Sequence, residues 1–265
     1  KANSVYDYED DDDDVFGPPP SVPRNTQSAI DFTRELNADQ LAAVTAEDGP
    51  ALVLAGAGSG KTRTLTYREA YLLQNGVTPE SILLLTFTNK ASKQMLERVE
   101  ELTDMGANRF LGGTFHHVGG QVLRLFGDSI GLAKSFTILD DGDSDSLLNE
   151  VIRDLDPGFF KSKENPKAKP IKGLLSFSRN IGASFEEVAK GRYPSNTELC
   201  SKIDSFARIY QQTKLERGLA DYDDLLVYWL EVMENNQEAA EYYQQRFSHV
   251  LVDEYQDVNS LQARI

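Results

Sequence analysis

A glycine-rich run that separates a short apolar segment from a helical pattern constrains the fold more than any other feature. Residues 51–54 (ALVL) are apolar without interruption, which is typical of a strand buried on both faces of a parallel sheet. A helical pattern then extends from about residue 61 to residue 74. The run itself consists of Ala55, Gly56, Ala57, Gly58, Ser59, Gly60, Lys61 and Thr62. This order of strand, turn and helix predicts an α/β fold with the turn at one edge of a parallel sheet.

The chemistry of this turn indicates a phosphate-binding loop, or P-loop. Successive backbone N–H groups in such a turn form a concave anion site, which the positive end of the following helix reinforces. Lys61 is placed to reach the β- and γ-phosphates of a nucleotide, and the Thr62 hydroxyl to ligate Mg²⁺. The general pattern has glycine where Ala55 stands, a departure of one methyl group. The turn therefore predicts ATP and Mg²⁺ as cofactors, and a glycine-rich turn with an incidental lysine and threonine is the alternative.

A nucleotide-hydrolysing centre also needs carboxylates, and the end of a second apolar run supplies them. Residues 249–252 (HVLV) lead directly into Asp253 and Glu254. Neighbouring side chains on a strand point to opposite sides, so the two carboxylates can take different roles. We assign Asp253 to the Mg²⁺ shell and Glu254 to the orientation and deprotonation of water. Gln256, just beyond them, is a candidate for coupling the γ-phosphate to a neighbouring domain.

Two further residues are candidates for contacts with adenine. Gln40 precedes the first apolar run, where its amide can pair with the N6 and N7 edge of the base. Arg63 directly follows the loop, where its guanidinium can lie on the face of the base. A solvent-facing glutamine and a plain surface arginine are the alternatives, and the residues alone leave them open.

The rest of the chain alternates between sheet-like and helical segments. Residues 81–86 and 109–114 have the character of buried strands, and residues 89–102 have helical periodicity. From 115 to 218 the pattern is helical, without a convincing buried strand. These patterns predict a disordered acidic tail at 1–32, a first part of the ATPase core at 33–114, an inserted helical subdomain at 115–218 and a second part of the core at 219–265.

Net charge at first argues against a nucleic-acid binder. The chain has 42 acidic and 27 basic residues, for a formal charge of −15, whereas nucleic-acid binders are usually basic. The charge is uneven, however: residues 36–126 contain nine acidic and eight basic side chains, a balance of −1.

The single cysteine, Cys200, excludes an internal disulfide framework. No apolar run reaches the roughly 18 residues of a membrane span, and the first residues lack the pattern of a secretory signal, so we expect no membrane partner.

Six short segments, taken together, resemble the superfamily 1 DNA helicases, and within them the UvrD/PcrA/Rep group. They are 36–40 (LNADQ), 55–62 (AGAGSGKT), 86–91 (TFTNKA), 113–116 (GTFH), 221–226 (DYDDLL) and 252–257 (VDEYQD). The resemblance implies a RecA-like P-loop sheet with an inserted all-helical subdomain. It also implies a two-lobed motor that hydrolyses ATP to move 3′ to 5′ along single-stranded DNA and to unwind duplex DNA in repair or replication. We accordingly expect a cytoplasmic protein, at the bacterial nucleoid.

The same resemblance implies which residues contact DNA. Single-stranded DNA would cross the top of the sheet over Phe87, Thr88, Asn89, Thr114, Phe115 and His116. Aromatic faces can support any base by stacking, worth roughly 1–3 kcal/mol per base. For Phe87 the alternative is a core position after a buried strand. His117 and Gln121 depart from the family pattern, which leaves the detailed contacts of this element open.

A basic stretch within the predicted insertion is a second candidate DNA surface, for junctions of single- and double-stranded DNA. It contains Lys161, Lys163, Lys167, Lys169, Lys172 and Arg179, opposed only by Glu164. Such clusters attract the phosphate backbone without sequence preference. Of these residues we name Lys167 and Lys169 as the DNA contacts, with a merely solvated lysine loop as the alternative.

The chain ends shortly after the last of the six segments, so the resemblance implies that the second RecA-like lobe is absent from this sequence. That lobe would carry the arginine fingers, which can be worth a factor of about 10³–10⁵ in rate. We therefore expect this polypeptide alone to hydrolyse ATP slowly and not to unwind DNA, and we expect the second lobe as its partner. The rival hypotheses are a non-catalytic nucleotide- or DNA-binding fragment and a P-loop enzyme that acts on a small molecule.

Overall fold

The computed structural model describes residues 29–103 and 109–265. The helices are α1 Phe32–Glu35, α2 Ala38–Val44, α3 Lys61–Gln74, α4 Asn89–Thr103, α5 Phe115–Phe126, α6 Asp141–Leu155, α7 Ala168–Ile181, α8 Phe185–Arg192, α9 Thr197–Glu216, α10 Tyr222–Asn235 and α11 Gln237–Arg246. The strands are β1 Ile82–Thr86, β2 Leu111–Thr114, β3 Thr137–Ile138, β4 Leu219–Ala220 and β5 His249–Val252. Most of the predicted tail (1–32) lies outside the described residues, and Phe32 at its end is buried in α1.

Three parallel strands form the sheet, in the order β2-β1-β5. Leu84 of β1 is in register with Gly112 of β2 on one side and with Leu251 of β5 on the other. The α/β class and the strands predicted near 81–86, 109–114 and 249–252 are therefore confirmed. Because the strands are parallel, their carboxyl ends lie at one edge of the sheet, where Phe87 and Asp253 directly follow two of them.

The predicted buried strand at residues 51–54 is wrong. This segment has no strand pairing, and its side chains are exposed, with Leu54 86% accessible. A strand needs a neighbour for its backbone hydrogen bonds, and β5 is paired with β1 alone among the described residues. The segment nevertheless runs beside β5, because Asp48 contacts His249 at one end and Thr62 contacts Asp253 at the other. The P-loop is thus placed without a hydrogen-bonded strand before it.

Two of the four apolar cores among the described residues are large. One packs the sheet against α5 and α10, and the other lies among α6, α7, α8 and α9. Helix α5 begins at the predicted start of the insertion, yet it packs in the core of the sheet. The short strands β3 and β4 pair in parallel next to the second core, so the region predicted as all-helical contains one short strand. No helix in residues 29–103 and 109–265 has the length and hydropathy needed to cross a membrane.

One carboxyl group is buried without a partner on the helix that follows the P-loop. Glu69 of α3 is fully inaccessible, and among the described residues its carboxylate oxygens have no hydrogen bond. Burial raises the pKa of this group to about 8. Because the folded-state pKa lies above that of an unfolded chain, the protein loses stability as the pH rises from about 4.5 to about 8.

We predict that Glu69→Gln removes this pH dependence. A raised pKa costs roughly 1.4 kcal/mol per unit, so the ionised carboxylate destabilises the fold by about 5 kcal/mol above pH 8. Urea unfolding at pH 5, 7 and 9 measures the effect, and Glu47→Gln at an exposed position is the matched control. The same pH slope in Glu69→Gln as in the unaltered protein would contradict this account.

Candidate nucleotide site and nucleic-acid interface

The P-loop turns sharply into α3 at two glycines with left-handed backbone. Gly58 has φ 76° and Gly60 has φ 84°, a region that glycine adopts without the steric cost of a Cβ. The Ser59 amide and hydroxyl both donate to the carbonyl of Gly56, which closes the turn. Helix α3 begins directly at Lys61, so its first free N–H groups face the concave side of the loop. The sequence-predicted helix bounds, from 61 to 74, are confirmed.

The two predicted halves of the phosphate and metal centre come together in space. The Thr62 hydroxyl donates to a carboxylate oxygen of Asp253, 191 residues away, at 3.4 Å. Burial raises the pKa of Asp253, opposed by the hydrogen bond that it accepts from the Glu254 amide. Two oxygen atoms at this separation can both lie about 2.1 Å from one Mg²⁺, which prefers oxygen ligands. The residues present therefore fit the ion.

Glu254 lies opposite the P-loop lysine in a strained backbone conformation. Lys61 Nζ is 3.8 Å from Glu254 Oε2, and both side chains are partly exposed, so a phosphate group can reach them. Glu254 has φ 50° and ψ 46°, and no other non-glycine residue in the described part of the chain has positive φ. Such strain is frequent at functional sites. The Gln256 amide donates to the Glu254 carboxylate and holds it towards the loop.

Gln40 joins the helix before the P-loop to the loop itself. Its side-chain carbonyl accepts from the Asn37 amide in a capping box, and its Nε2 donates to the Ser59 carbonyl at 3.0 Å. Gln40 is therefore partly buried and hydrogen-bonded through both atoms of its amide. The contact with adenine stays a prediction, but the amide already lies against the P-loop.

Arg63 is held by two residues that the sequence analysis did not identify. Its guanidinium lies 4.7 Å from the centre of the Tyr67 ring and donates to the Glu35 backbone carbonyl at 2.9 Å. A carboxylate oxygen of Glu35 is 3.2 Å away. The spacing of Arg63 and Tyr67, four residues apart on one helix, was a signal for this contact. Whether Arg63 also covers the base stays a prediction.

The predicted DNA-binding residues lie at the carboxyl edge of the sheet, with one correction. Thr88 and Asn89 are exposed, and Phe87 is partly buried with its ring centre 5.9 Å from that of Phe115. Phe115 is only 3% exposed and packs in the core, so it supports Phe87 from below and does not itself line the surface. Thr114 caps α5, which orients the helix that follows.

His116 lies at the same edge against α10. Its ring centre is 5.3 Å from that of Tyr222. Burial lowers the pKa of His116, opposed by the nearby charge of Asp223, so the imidazole is neutral at pH 7. It can therefore contact DNA as a hydrogen-bonding group rather than as a cation. His117 and Gln121, which depart from the pattern of the six segments, contact each other at 3.1 Å.

The basic stretch of the insertion is smaller than its sequence indicates. Lys172 pairs with Asp141 and Asp145, and Arg179 is buried in an ion pair, so these two cations are engaged within the protein. The exposed members are Lys161, Lys163, Lys167 and Lys169. Lys167 and Lys169 flank the N-terminus of α7, where the helix dipole disfavours positive charge.

A cavity of about 540 Å³ joins the two predicted sites. Its walls include Thr62, Asp253 and Glu254 from the nucleotide side and Phe87 from the DNA side. Arg98 of α4 also lines it and had no sequence motif to mark it. The catalytic and DNA-binding candidates are therefore neighbours across a single cavity.

Comparison with known proteins matches the sequence to one family. Residues 36–265 match the model described as the UvrD/REP helicase N-terminal domain. The chain belongs to this family. It is 40% identical over 233 residues to the ATP-dependent DNA helicase PcrA of Bacillus subtilis (strain 168), covering 86% of this chain and 30% of that protein. It is 36% identical over 237 residues to PcrA of Staphylococcus epidermidis (87% and 31%) and 35% identical over 230 residues to PcrA of Staphylococcus aureus (86% and 30%). The chain thus spans about a third of the length of these relatives.

We predict that Glu254→Gly gives a more stable protein than Glu254→Ala. Both variants lose the contacts of the carboxylate, but only glycine relieves the left-handed backbone, which costs about 1 kcal/mol for other residues. Urea unfolding of the two variants measures the difference. Equal stability, or greater stability of the alanine variant, would show that the backbone at this position is not strained.

Proposed function

We propose that this chain is the N-terminal ATP-binding lobe of a DNA helicase. The whole protein would couple ATP hydrolysis to 3′ to 5′ movement along single-stranded DNA and unwind duplex DNA at junctions, in repair or replication in the bacterial cytoplasm. The contact between Thr62 and Asp253, beside the edge that carries Phe87, is the observation that supports this function best. Family membership and the names of the PcrA relatives agree with it.

The residues of the nucleotide site would divide the chemistry among them. The loop amides and Lys61 hold the β- and γ-phosphates, and Thr62 and Asp253 hold Mg²⁺, which neutralises phosphate charge when bound. Glu254 orients the attacking water and accepts its proton. Gln256 keeps the Glu254 carboxylate in place through its amide. Gln40 and Arg63 would contact the base.

The strand pairing supports a direct link between hydrolysis and DNA. Strands β1 and β5 are neighbours, and the Asp253 amide donates to the Leu85 carbonyl at 3.0 Å. The backbone of the segment that carries Phe87, Thr88 and Asn89 therefore begins beside the backbone of Asp253, since neighbouring strands lie about 4.8 Å apart. A small shift at Glu254 on hydrolysis would reach the DNA-binding segment through this pairing.

A second lobe would complete the site. The PcrA relatives are about three times as long as the matched segment, and an arginine finger from another lobe accelerates phosphoryl transfer by about 10³–10⁵. We therefore propose slow hydrolysis by this chain alone.

A non-catalytic nucleotide- or DNA-binding fragment is the second candidate for the isolated chain. The exposed Thr88 and Asn89 beside Phe87 disfavour an enzyme that acts on a small molecule.

We predict that Lys61→Ala and Asp253→Asn each lower the ATPase rate with single-stranded DNA by about 10²–10³ in the full-length protein, because each removes charge stabilisation at the transferred phosphate. Steady-state hydrolysis with and without oligo-dT measures the effect. Lys134→Ala, at an exposed surface pair, is the control. A wild-type rate in Lys61→Ala would refute the proposal, and hydrolysis indifferent to DNA in the unaltered protein would favour a small-molecule substrate.

We predict that Lys167→Ala combined with Lys169→Ala weakens binding to a junction of single- and double-stranded DNA. Each lost phosphate contact reduces the steepness of the plot of log K against log salt concentration by about one. Fluorescence anisotropy between 50 and 200 mM salt measures both quantities. Lys190→Ala, whose cation pairs with Glu186 on the surface, is the control. An unchanged salt slope in the double variant would mean that the lysines are merely solvated.

A further inference from the structure

Four charged side chains are buried together where the helical insertion meets α10. Arg179 comes from α7, Lys214 from α9, and Asp221 and Asp224 from the start of α10. The side chains of Lys214 and Asp224 are fully inaccessible, and those of Arg179 and Asp221 are 9% and 11% exposed. Removing a charge from water costs several kcal/mol, so such a cluster persists only where every charge is paired.

Each charge of this cluster has an oppositely charged partner, although among the described residues Arg179 Nη1 and Asp224 Oδ1 make no hydrogen bond. Lys214 Nζ lies 2.5 Å from a carboxylate oxygen of Asp221 and 2.5 Å from one of Asp224. Arg179 contacts Asp224 at 2.9 Å and Asp221 at 3.6 Å. The Tyr210 hydroxyl donates to Asp221 at 2.9 Å. Two positive and two negative charges therefore balance within one buried site.

We expect this cluster to fix the orientation of α10 more than to stabilise the fold. A buried ion pair contributes little net stability compared with well-packed apolar residues, but it accepts few alternative arrangements. Asp221 and Asp224 also form the capping box of α10, in which each carboxylate accepts from the backbone amide of the other. Arg179 and Lys214, from two helices of the insertion, thus hold the first turn of α10 in one orientation.

The first turn of α10 leads directly to the DNA-binding edge. Tyr222, between the two aspartates, contacts His116 of α5, and Asp223 acts electrostatically on the same imidazole. Helices α5 and α10 pack closely, because a Cβ on Gly119 would lie only 2.9 Å from the Leu225 carbonyl oxygen. A change in the orientation of α10 therefore displaces His116.

We propose that the four residues of this cluster, Arg179, Lys214, Asp221 and Asp224, are positioning residues. They transmit the orientation of the helical insertion to His116 and thereby set how strongly DNA stimulates ATP hydrolysis. This inference rests on the proposed function. It assigns the cluster no contact with nucleotide or DNA. The coupling runs from α7 and α9 through the first turn of α10 to α5.

Tryptophan fluorescence of this chain tests the structural half of the proposal. Trp229 is the only tryptophan, and it is buried on α10 against Gly119. Lys214→Met leaves two carboxylates with one cation and is expected to shift the Trp229 emission to longer wavelength. Arg217→Met is the matched control, because Arg217 pairs with Glu150 on the surface of the insertion only. The emission of this control is expected to match that of the unaltered chain.

ATP hydrolysis by the full-length protein tests the functional half. Lys214→Met combined with Asp224→Asn keeps the cluster neutral, with Arg179 and Asp221 still paired. We expect the maximal stimulation by oligo-dT to fall at least fivefold in this double variant, with the DNA-independent rate within twofold of the unaltered protein. Tyr222→Leu leaves all four charges in place and is expected to give the same loss. Arg217→Met is expected to retain full stimulation.

The outcomes separate this inference from the proposed function. If DNA does not stimulate hydrolysis in the unaltered protein, the proposed function fails. If DNA stimulates the unaltered protein and the double variant equally, the inference is overturned and the cluster is only structural. Equal stimulation in Tyr222→Leu also overturns it, and this variant decides the matter where the double variant does not fold.

Discussion

The parallel pairing of β1 with β5 is the constraint on which the candidate site depends. It brings the end of β5, with Asp253 and Glu254, beside the end of β1, where Phe87 begins the proposed DNA-binding edge. It also sets Asp253 within hydrogen-bonding distance of Thr62, 191 residues earlier in the chain. The P-loop has no strand pairing of its own here. Contacts with the two ends of β5, through Asp48 and Thr62, help to position it, together with the hydrogen bond from Gln40 to Ser59 and the packing of α3 on α2 and α4.

Local chemistry made the nucleotide site predictable from sequence. A glycine-rich turn, a lysine and a threonine have a fixed relation to the helix that follows, so the bounds of α3 and the roles suggested for Lys61 and Thr62 needed no tertiary information. The strand at 51–54 could not be predicted in the same way, because an apolar run becomes a strand only beside a hydrogen-bonding neighbour. The burial of Phe115 likewise depends on how α5 packs, which periodicity alone does not specify.

Charge was the least predictable property. Arg179 and Lys172 count as DNA-facing cations in the sequence, yet in the fold they pair with carboxylates of α10 and α6. The buried cluster could not be predicted as a cluster: Asp221 and Asp224 lie in one of the six segments, but Arg179 and Lys214 come from two other helices. The formal charge of −15 is equally uninformative about the proposed DNA edge, where Thr88, Asn89 and Thr114 are uncharged and His116, near the carboxylate of Asp223, is neutral.

In the proposed function the nucleotide site and the DNA edge are one coupled unit. Thermodynamic linkage requires that, if nucleotide changes the affinity for DNA, DNA changes the affinity for nucleotide by the same factor. The most direct test is the affinity of the full-length protein for oligo-dT, measured by anisotropy with and without Mg²⁺ and a non-hydrolysable ATP analogue. The account predicts a change of at least fivefold, matched by the reciprocal change in nucleotide affinity. Identical DNA affinity in both conditions would contradict it.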